Sequence, residues 1–96
     1  MLYLVEMDVH IPETWSEEKI EDYTTREKAT SQKHQKSGKW VYLWRVAGQF
    51  SNVSVLDVNS PDELHQIIRE LPLFPYMTIT VKSLCKHPNA IKETMI

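Results

Sequence analysis

The stretch Trp40 to Val58, WVYLWRVAGQFSNVSVLDV, decides the fold. Residues 40 to 47 and 50 to 58 are rich in β-branched and aromatic side chains, and Gly48-Gln49 between them can take the backbone conformations a tight hairpin needs. The first run is apolar on both of its faces, so it reads as a strand that neither side leaves to water. Arg45 breaks that run. A guanidinium stays charged, and removing it from water unpaired costs several kcal/mol or more, so a chain that keeps one there must supply an anion. Glu27, Asp57 and Glu6 are the carboxylates that would make Arg45 structural; a bound ligand is the other source.

Upstream of the hairpin, residues 2 to 11 alternate, with Tyr3, Val5, Met7, Val9 and Ile11 on one side and Glu6, Asp8 and His10 on the other. That is the pattern of a half-buried strand, which Pro12 ends. Thr14-Trp15-Ser16-Glu17 has capping-box spacing and predicts a helix running to about Ser37, with Gly38 as its terminator. Downstream, Ser60-Pro61-Asp62-Glu63 supplies an N-cap, a proline at the first helical position and an acidic third position. The helix it opens carries Leu64, Ile67, Ile68 and Leu71 at i, i+3, i+4 and i+7, and Pro72 and Pro75 stop it. Met77, Ile79 and Val81 then alternate with Thr78, Thr80 and Lys82 in a last strand.

The order β-α-β-β-α-β predicts an α+β fold, the ferredoxin-like sandwich, with both helices on one face of a four-stranded antiparallel sheet. The other face has no helix to cover it, which predicts a homo-oligomer. At 96 residues the chain reads as one domain over 1–96 that buries roughly two-thirds of its unfolded surface. The polar tail from about residue 86 is expected to extend to a subunit contact.

Composition narrows the function. Hydrophobic residues are 42% and charged residues 25% of the chain, with a net charge of −2, as in an ordinary globular protein. The two signs are interspersed, so no basic face follows a phosphate backbone and nucleic acid is not the expected partner. Gly48 to Val53 shares only part of the RNA-recognition strand motif and lacks its leading basic residue. Cys85 is the single cysteine, which excludes an internal disulfide and points to a cytoplasmic setting. Glu6 and Asp8 interrupt any signal-peptide core, and no segment approaches a membrane span. His10, His34, His65 and His87 show no metal-ligand spacing, so no metal site is expected, and there is no glycine-rich phosphate loop. Cys85-Lys86-His87 places a thiol beside a base, but adjacent positions on a strand point apart.

The first helix has an unusual inward face: Ile20, Tyr23, Glu27, Thr30 or Ser31, and His34 recur on it. Glu27 is either a half-exposed charge satisfied by Arg26, Lys28 or Ser31, or a carboxylate facing the same cavity as Arg45. In the second case an apolar wall raises its pKa toward the range useful for proton transfer. Asn52 and Ser54 alternate on the strand beside Arg45 and are candidate donors.

Leu43-Trp44-Arg45-Val46-Ala47-Gly48, Leu71-Pro72-Leu73-Phe74-Pro75-Tyr76-Met77, Cys85-Lys86-His87-Pro88 and the opening Met1-Leu2-Tyr3 together resemble the muconolactone delta-isomerase family. The likeness runs over nearly the whole chain and is weakest in the first helix, Glu27 apart. It implies a cofactor-free and metal-free isomerase of the catechol branch of the β-ketoadipate pathway, a homodecamer that converts muconolactone to 3-oxoadipate enol-lactone. On that resemblance Glu27 is the shuttling base, and Arg45 the clamp for the substrate carboxylate or the stabiliser of a developing oxyanion. Tyr76, Asn52 or Ser54 are donors, His65 is an alternative base, and Trp40, Trp44 and Phe74 exclude water. Two other readings fit the same residues: a non-catalytic oligomeric ligand-binding or assembly domain, and a related enzyme acting on a methyl-substituted lactone or using oxygen on an aromatic substrate.

Overall fold

The computed structural model describes residues 1–91. Its elements are β1 (Leu2–Val9), α1 (Glu17–Lys36), β2 (Trp40–Arg45), β3 (Ser51–Asp57), α2 (Pro61–Arg69), a 3-10 turn (Phe74–Tyr76) and β4 (Met77–Leu84). All strand pairs are antiparallel and the spatial order is β2-β3-β1-β4. This is the α+β sandwich expected from the order of elements.

Alternation on β1 sets the layers. Tyr3, Val5 and Met7 are buried and meet Leu64, Ile67, Ile68 and Leu71 of the α2 stripe, together with Trp40, Leu56 and Val58. The opposite side of the sheet carries Leu2 and Leu4 of β1 and Val55 and Val53 of β3, the last two in register with Tyr42 and Trp44 of β2 respectively. Trp44 is 65% exposed there and stacks on Tyr42 at a centroid distance of 6.4 Å.

The doubly apolar run at 40 to 45 has a structural cause. Trp40 pairs with Leu56 and Tyr42 with Val55, so two residues of β2 oppose one of β3 between them. This bulge lets Trp40 enter the core at 3% exposure while Tyr42 and Trp44 face the uncovered side.

Several boundaries differ from the sequence reading. β1 ends at Val9 rather than residue 11: the His10 amide makes one more bond in the β1–β4 register, to the Tyr76 carbonyl at 2.7 Å, and there the opposite chain is already the 3-10 turn. The N-cap of α1 is Ser16, whose hydroxyl accepts from the Lys19 amide at 3.1 Å; Thr14 is taken up in a turn that the Trp15 amide closes on the Pro12 carbonyl. β2 and β3 stop at 45 and start at 51, since the amides of Val46 and Gln49 close a short turn in which Gly48 has φ +79°. The remaining signals appear as expected. Gly38 follows α1 at φ +85°, Ser60 accepts from the Glu63 amide at 3.1 Å, and Pro61 opens α2. No described helix is long and apolar enough to cross a membrane. Beyond β4 the described tail makes one turn, with Ala90 donating to the His87 carbonyl, and the part of it from residue 92 lies outside the described residues.

Candidate active site

The polar face of α1 does not pack onto the sheet as a core helix would. Between it and the hairpin end of β2 and β3 is a cavity of about 510 Å³. Thr24, Glu27, Lys28, Ser31, Gln32 and Gln35 form one wall, at the helical spacing that keeps them on one side of α1. Leu43, Arg45, Phe50, Ser51 and Asn52 form the floor, and Val9, Leu73 and Met77 close the end. The cavity is therefore lined by one carboxylate, two cations, amides and hydroxyls against an aliphatic and aromatic background, the composition of a small-molecule site.

Glu27 is half-buried, and its Oε1 accepts a hydrogen bond from the backbone amide of Leu73 at 2.9 Å. Burial pushes its carboxyl above the ordinary carboxylate value, and the Leu73 amide, which favours the ionised form, offsets only part of that shift. None of Arg26, Lys28 or Ser31 satisfies it: Arg26 pairs with Asp22 at 3.1 Å, and the Ser31 hydroxyl donates to the Lys28 carbonyl. Leu73 holds one oxygen, and among the described residues no hydrogen bond is made to the other.

Arg45 is not withdrawn from water, contrary to the expectation from its apolar sequence neighbours. Its apolar neighbours in sequence lie on the two faces of a short strand, and at the strand end the guanidinium of the single chain is exposed. It donates to the Gln49 carbonyl at 3.2 Å and lies 5.5 Å from the Phe50 ring centroid, a cation–π contact. Among the described residues no carboxylate pairs with it. Asp57 is engaged by the Met1 ammonium group at 3.1 Å, and Glu6 and Glu27 make no ion pair with Arg45. Its positive end thus lines the cavity with no protein anion on it.

Asn52 and Ser54 act as a unit. The fully buried Ser54 hydroxyl donates to Asn52 Oδ1 at 2.9 Å, which leaves the Asn52 amide group free to donate into the cavity. Among the described residues no group of three His, Cys, Asp or Glu side chains comes together as a metal site would require.

Comparison with known proteins shows the family of the chain. A family model described as muconolactone delta-isomerase matches residues 1–90. The chain belongs to the muconolactone delta-isomerase family. It is 50% identical to muconolactone delta-isomerase 1 of Acinetobacter lwoffii over 97% of each chain. It is also 50% identical to muconolactone delta-isomerase of Cupriavidus pinatubonensis, covering 96% of this chain and all of that one. A crystal structure of muconolactone isomerase at 3.3 Å resolution superposes with a TM-score of 0.90 at 44% identity, covering 95% of each chain.

In this member of the muconolactone delta-isomerase family, Glu27, Arg45 and Asn52 share the cavity, with Ser54 directly behind Asn52. The other residues singled out from sequence stand elsewhere. Trp40 lies in the core, its Nε1 buried without a hydrogen-bond partner among the described residues. Trp44 is on the uncovered sheet face. His65 and Phe74 contact each other edge-on at 6.2 Å and line a separate shallow groove over α2 and β4. Tyr76 packs edge-on against Trp15, with ring centroids 4.8 Å apart. His34, on the same inward face of α1, hydrogen-bonds Glu70 and with Lys33 holds that carboxyl below its usual value, which ties the end of α1 to the end of α2. Lys28, Gln32 and Gln35 line the cavity and were not singled out. The available signal was their spacing from Glu27 along one helical stripe, where Lys28 reads equally well as a solvent-facing lysine.

Proposed function

We infer that this chain isomerises muconolactone to 3-oxoadipate enol-lactone, with Glu27 as the base and Arg45 as the principal anion-binding group. The observation that carries the reading is the pairing, in one cavity, of a half-buried carboxylate of raised pKa with a cation that has no protein anion. Membership of the muconolactone delta-isomerase family supports the choice of substrate.

The substrate is an unsaturated lactone with a carboxylate arm. The free oxygen of Glu27 takes the proton from the ring carbon that bears the arm, and the electron pair moves through the ring double bond onto the carbonyl oxygen. The same carboxyl then returns the proton to the carbon next to the carbonyl, so the double bond moves one place with no change of oxidation state. Removing the proton leaves two negative charges on the bound molecule, the arm and the dienolate oxygen. Arg45 and Lys28 are cations for them, and the Asn52 amide is a neutral donor for the oxyanion. A carboxylate of raised pKa is the stronger base, which suits abstraction of a weakly acidic carbon-bound proton.

The uncovered face bearing Tyr42 and Trp44 supports a homo-oligomeric state, decameric as the family resemblance implies, and the single cysteine supports a cytoplasmic setting. Incubating the purified protein with muconolactone and following the ring protons by NMR tests the reading. Enzyme-dependent appearance of the enol-lactone is the expected result; a folded, oligomeric sample that leaves muconolactone unchanged would refute it and favour a non-catalytic binding domain.

A further inference from the structure

Tyr76 was expected to donate to substrate, but its ring belongs to a three-ring cluster outside the cavity. Trp15 and Tyr23 have centroids 4.4 Å apart, Trp15 and Tyr76 4.8 Å, and Tyr23 and Tyr76 6.3 Å. Lys19 and Arg26 cover the outer sides of the cluster, at 4.5 Å from the Trp15 and Tyr23 rings respectively. The cluster lies between two points that matter to the base. Tyr23 is on α1 one turn before Glu27, and Tyr76 ends the 3-10 turn whose preceding residue, Leu73, gives its amide to Glu27. Backbone bonds stiffen that turn on both sides of Leu73: the Phe74 amide donates to Leu71 at 2.9 Å, the Tyr76 amide to Leu73 at 2.8 Å, and the His10 amide to Tyr76 at 2.7 Å.

We propose that Trp15, Tyr23 and Tyr76 form a clamp that fixes the 71–76 connection against α1, and so holds the Leu73 amide on Glu27 Oε1 and orients the other carboxylate oxygen toward substrate. The three are positioning residues, acting through Leu73 and touching neither substrate nor the reacting atoms. The proposal rests on Glu27 as the base. Aromatic rings in tilted and edge-on contact at these separations attract one another beyond the effect of their buried area, which ties the short turn to α1. Loosening it weakens a bond made to the ionised carboxylate, and the base should then titrate still higher. The charged groups that share the cavity with Glu27 are Lys28 of its own helix and Arg45 of β2, among the described residues; Val9, Asn52, Leu73 and Met77 present no charge from the other elements. None of these is altered by a change at Trp15.

The test is the pH dependence of kcat and KM for Trp15→Ala and Tyr76→Phe. Trp15→Ala is expected to lower kcat about tenfold, leave KM within a factor of two, and move the acid limb of the kcat profile to higher pH, since small misplacements of a reacting group carry rate penalties of that order. Tyr76→Phe keeps the ring and is expected to retain both the wild-type rate and the wild-type profile. If Trp15→Ala does not fold, Trp15→Phe is read instead, with a smaller shift of the same sign. A folded Trp15 variant with wild-type kcat and an unmoved acid limb overturns the clamp, as does a Tyr76→Phe enzyme as impaired as Trp15→Ala, which would make the hydroxyl itself a participant. A Glu27→Gln enzyme measured alongside separates the two claims. Full activity in it would remove the base reading, whereas an inactive Glu27→Gln beside an unaffected Trp15 variant removes the clamp alone.

Discussion

Glu27→Gln is expected to lower kcat about a thousandfold, the scale of losing a positioned general base, while KM changes little and the fold is kept. Glutamine has the same shape and retains an oxygen that can accept from the Leu73 amide, so the long-range hydrogen bond between α1 and the 71–76 connection survives the change. Stability should move in the opposite direction from activity. The folded chain holds the Glu27 proton more tightly than the unfolded chain does, because burial raises its pKa above the ordinary value of 4.5. The stability this group contributes is therefore present below that ordinary value and lost as pH rises through the raised one. At neutral pH the ionised carboxylate is a cost that glutamine removes, and the melting temperature of Glu27→Gln at pH 7 should equal or exceed that of the parent. The acid limb of the wild-type kcat profile should be shifted upward from the ordinary value of a glutamate. Steady-state kinetics and thermal melts at pH 5 and 7 check both effects; near-parental turnover would remove Glu27 from the reaction.

Arg45→Met is expected to lower kcat/KM about a hundredfold, equivalent to roughly 2.7 kcal/mol of transition-state binding. Such a loss is of the size found when a charge-assisted or oxyanion contact is removed. The fold should scarcely respond. The exposed guanidinium donates to one backbone carbonyl and rests near the Phe50 ring, and it makes no ion pair among the described residues. A structural arginine would behave otherwise, since removing one partner of a buried pair strands the other. The division between KM and kcat assigns its role: a rise in KM alone marks the substrate carboxylate, and a fall in kcat alone marks the dienolate oxygen. Parental kcat/KM in a folded Arg45→Met would mean that Lys28 or the Asn52 amide receives the anion instead.

Much of the fold could be read from local chemistry. The alternation of Tyr3, Val5 and Met7, the stripe Leu64, Ile67, Ile68 and Leu71, and Ser60-Pro61 at a helix start each express a short-range rule that tertiary structure did not override. The bulge at Trp40 and Tyr42 was not legible, because an apolar run on both faces looks the same whether it is evenly pleated or slips by one residue. The cap of α1 was misplaced by two residues for a related reason: Thr14 and Ser16 are both competent caps, and the turn from Pro12 decides between them.

The candidate site was legible in part. Glu27 stood out as a carboxylate on the inward face of a helix, but its partner Leu73 is 46 residues away and uses a backbone amide, which leaves no mark on the sequence. Arg45 stood out because its sequence neighbours are apolar; in a strand those neighbours point to opposite faces, so they do not bury it. Tyr76, Trp40 and Phe74 were grouped with the site through the family resemblance, whereas packing puts Trp40 in the core with Phe74 against that core, and Tyr76 against Trp15.

The most direct test of the central claim, that one carboxylate both removes and returns the proton, is turnover of muconolactone in heavy water. Deuterium at the carbon next to the carbonyl of the enol-lactone is read by NMR at early conversion, before exchange of the free product. Glu27 as the single shuttling base predicts product in which a substantial fraction of molecules keeps the original protium at that carbon, with the fraction independent of enzyme concentration. Product carrying one full deuterium from the first turnovers would contradict the account, because the returned proton would then come from solvent or from a second acid.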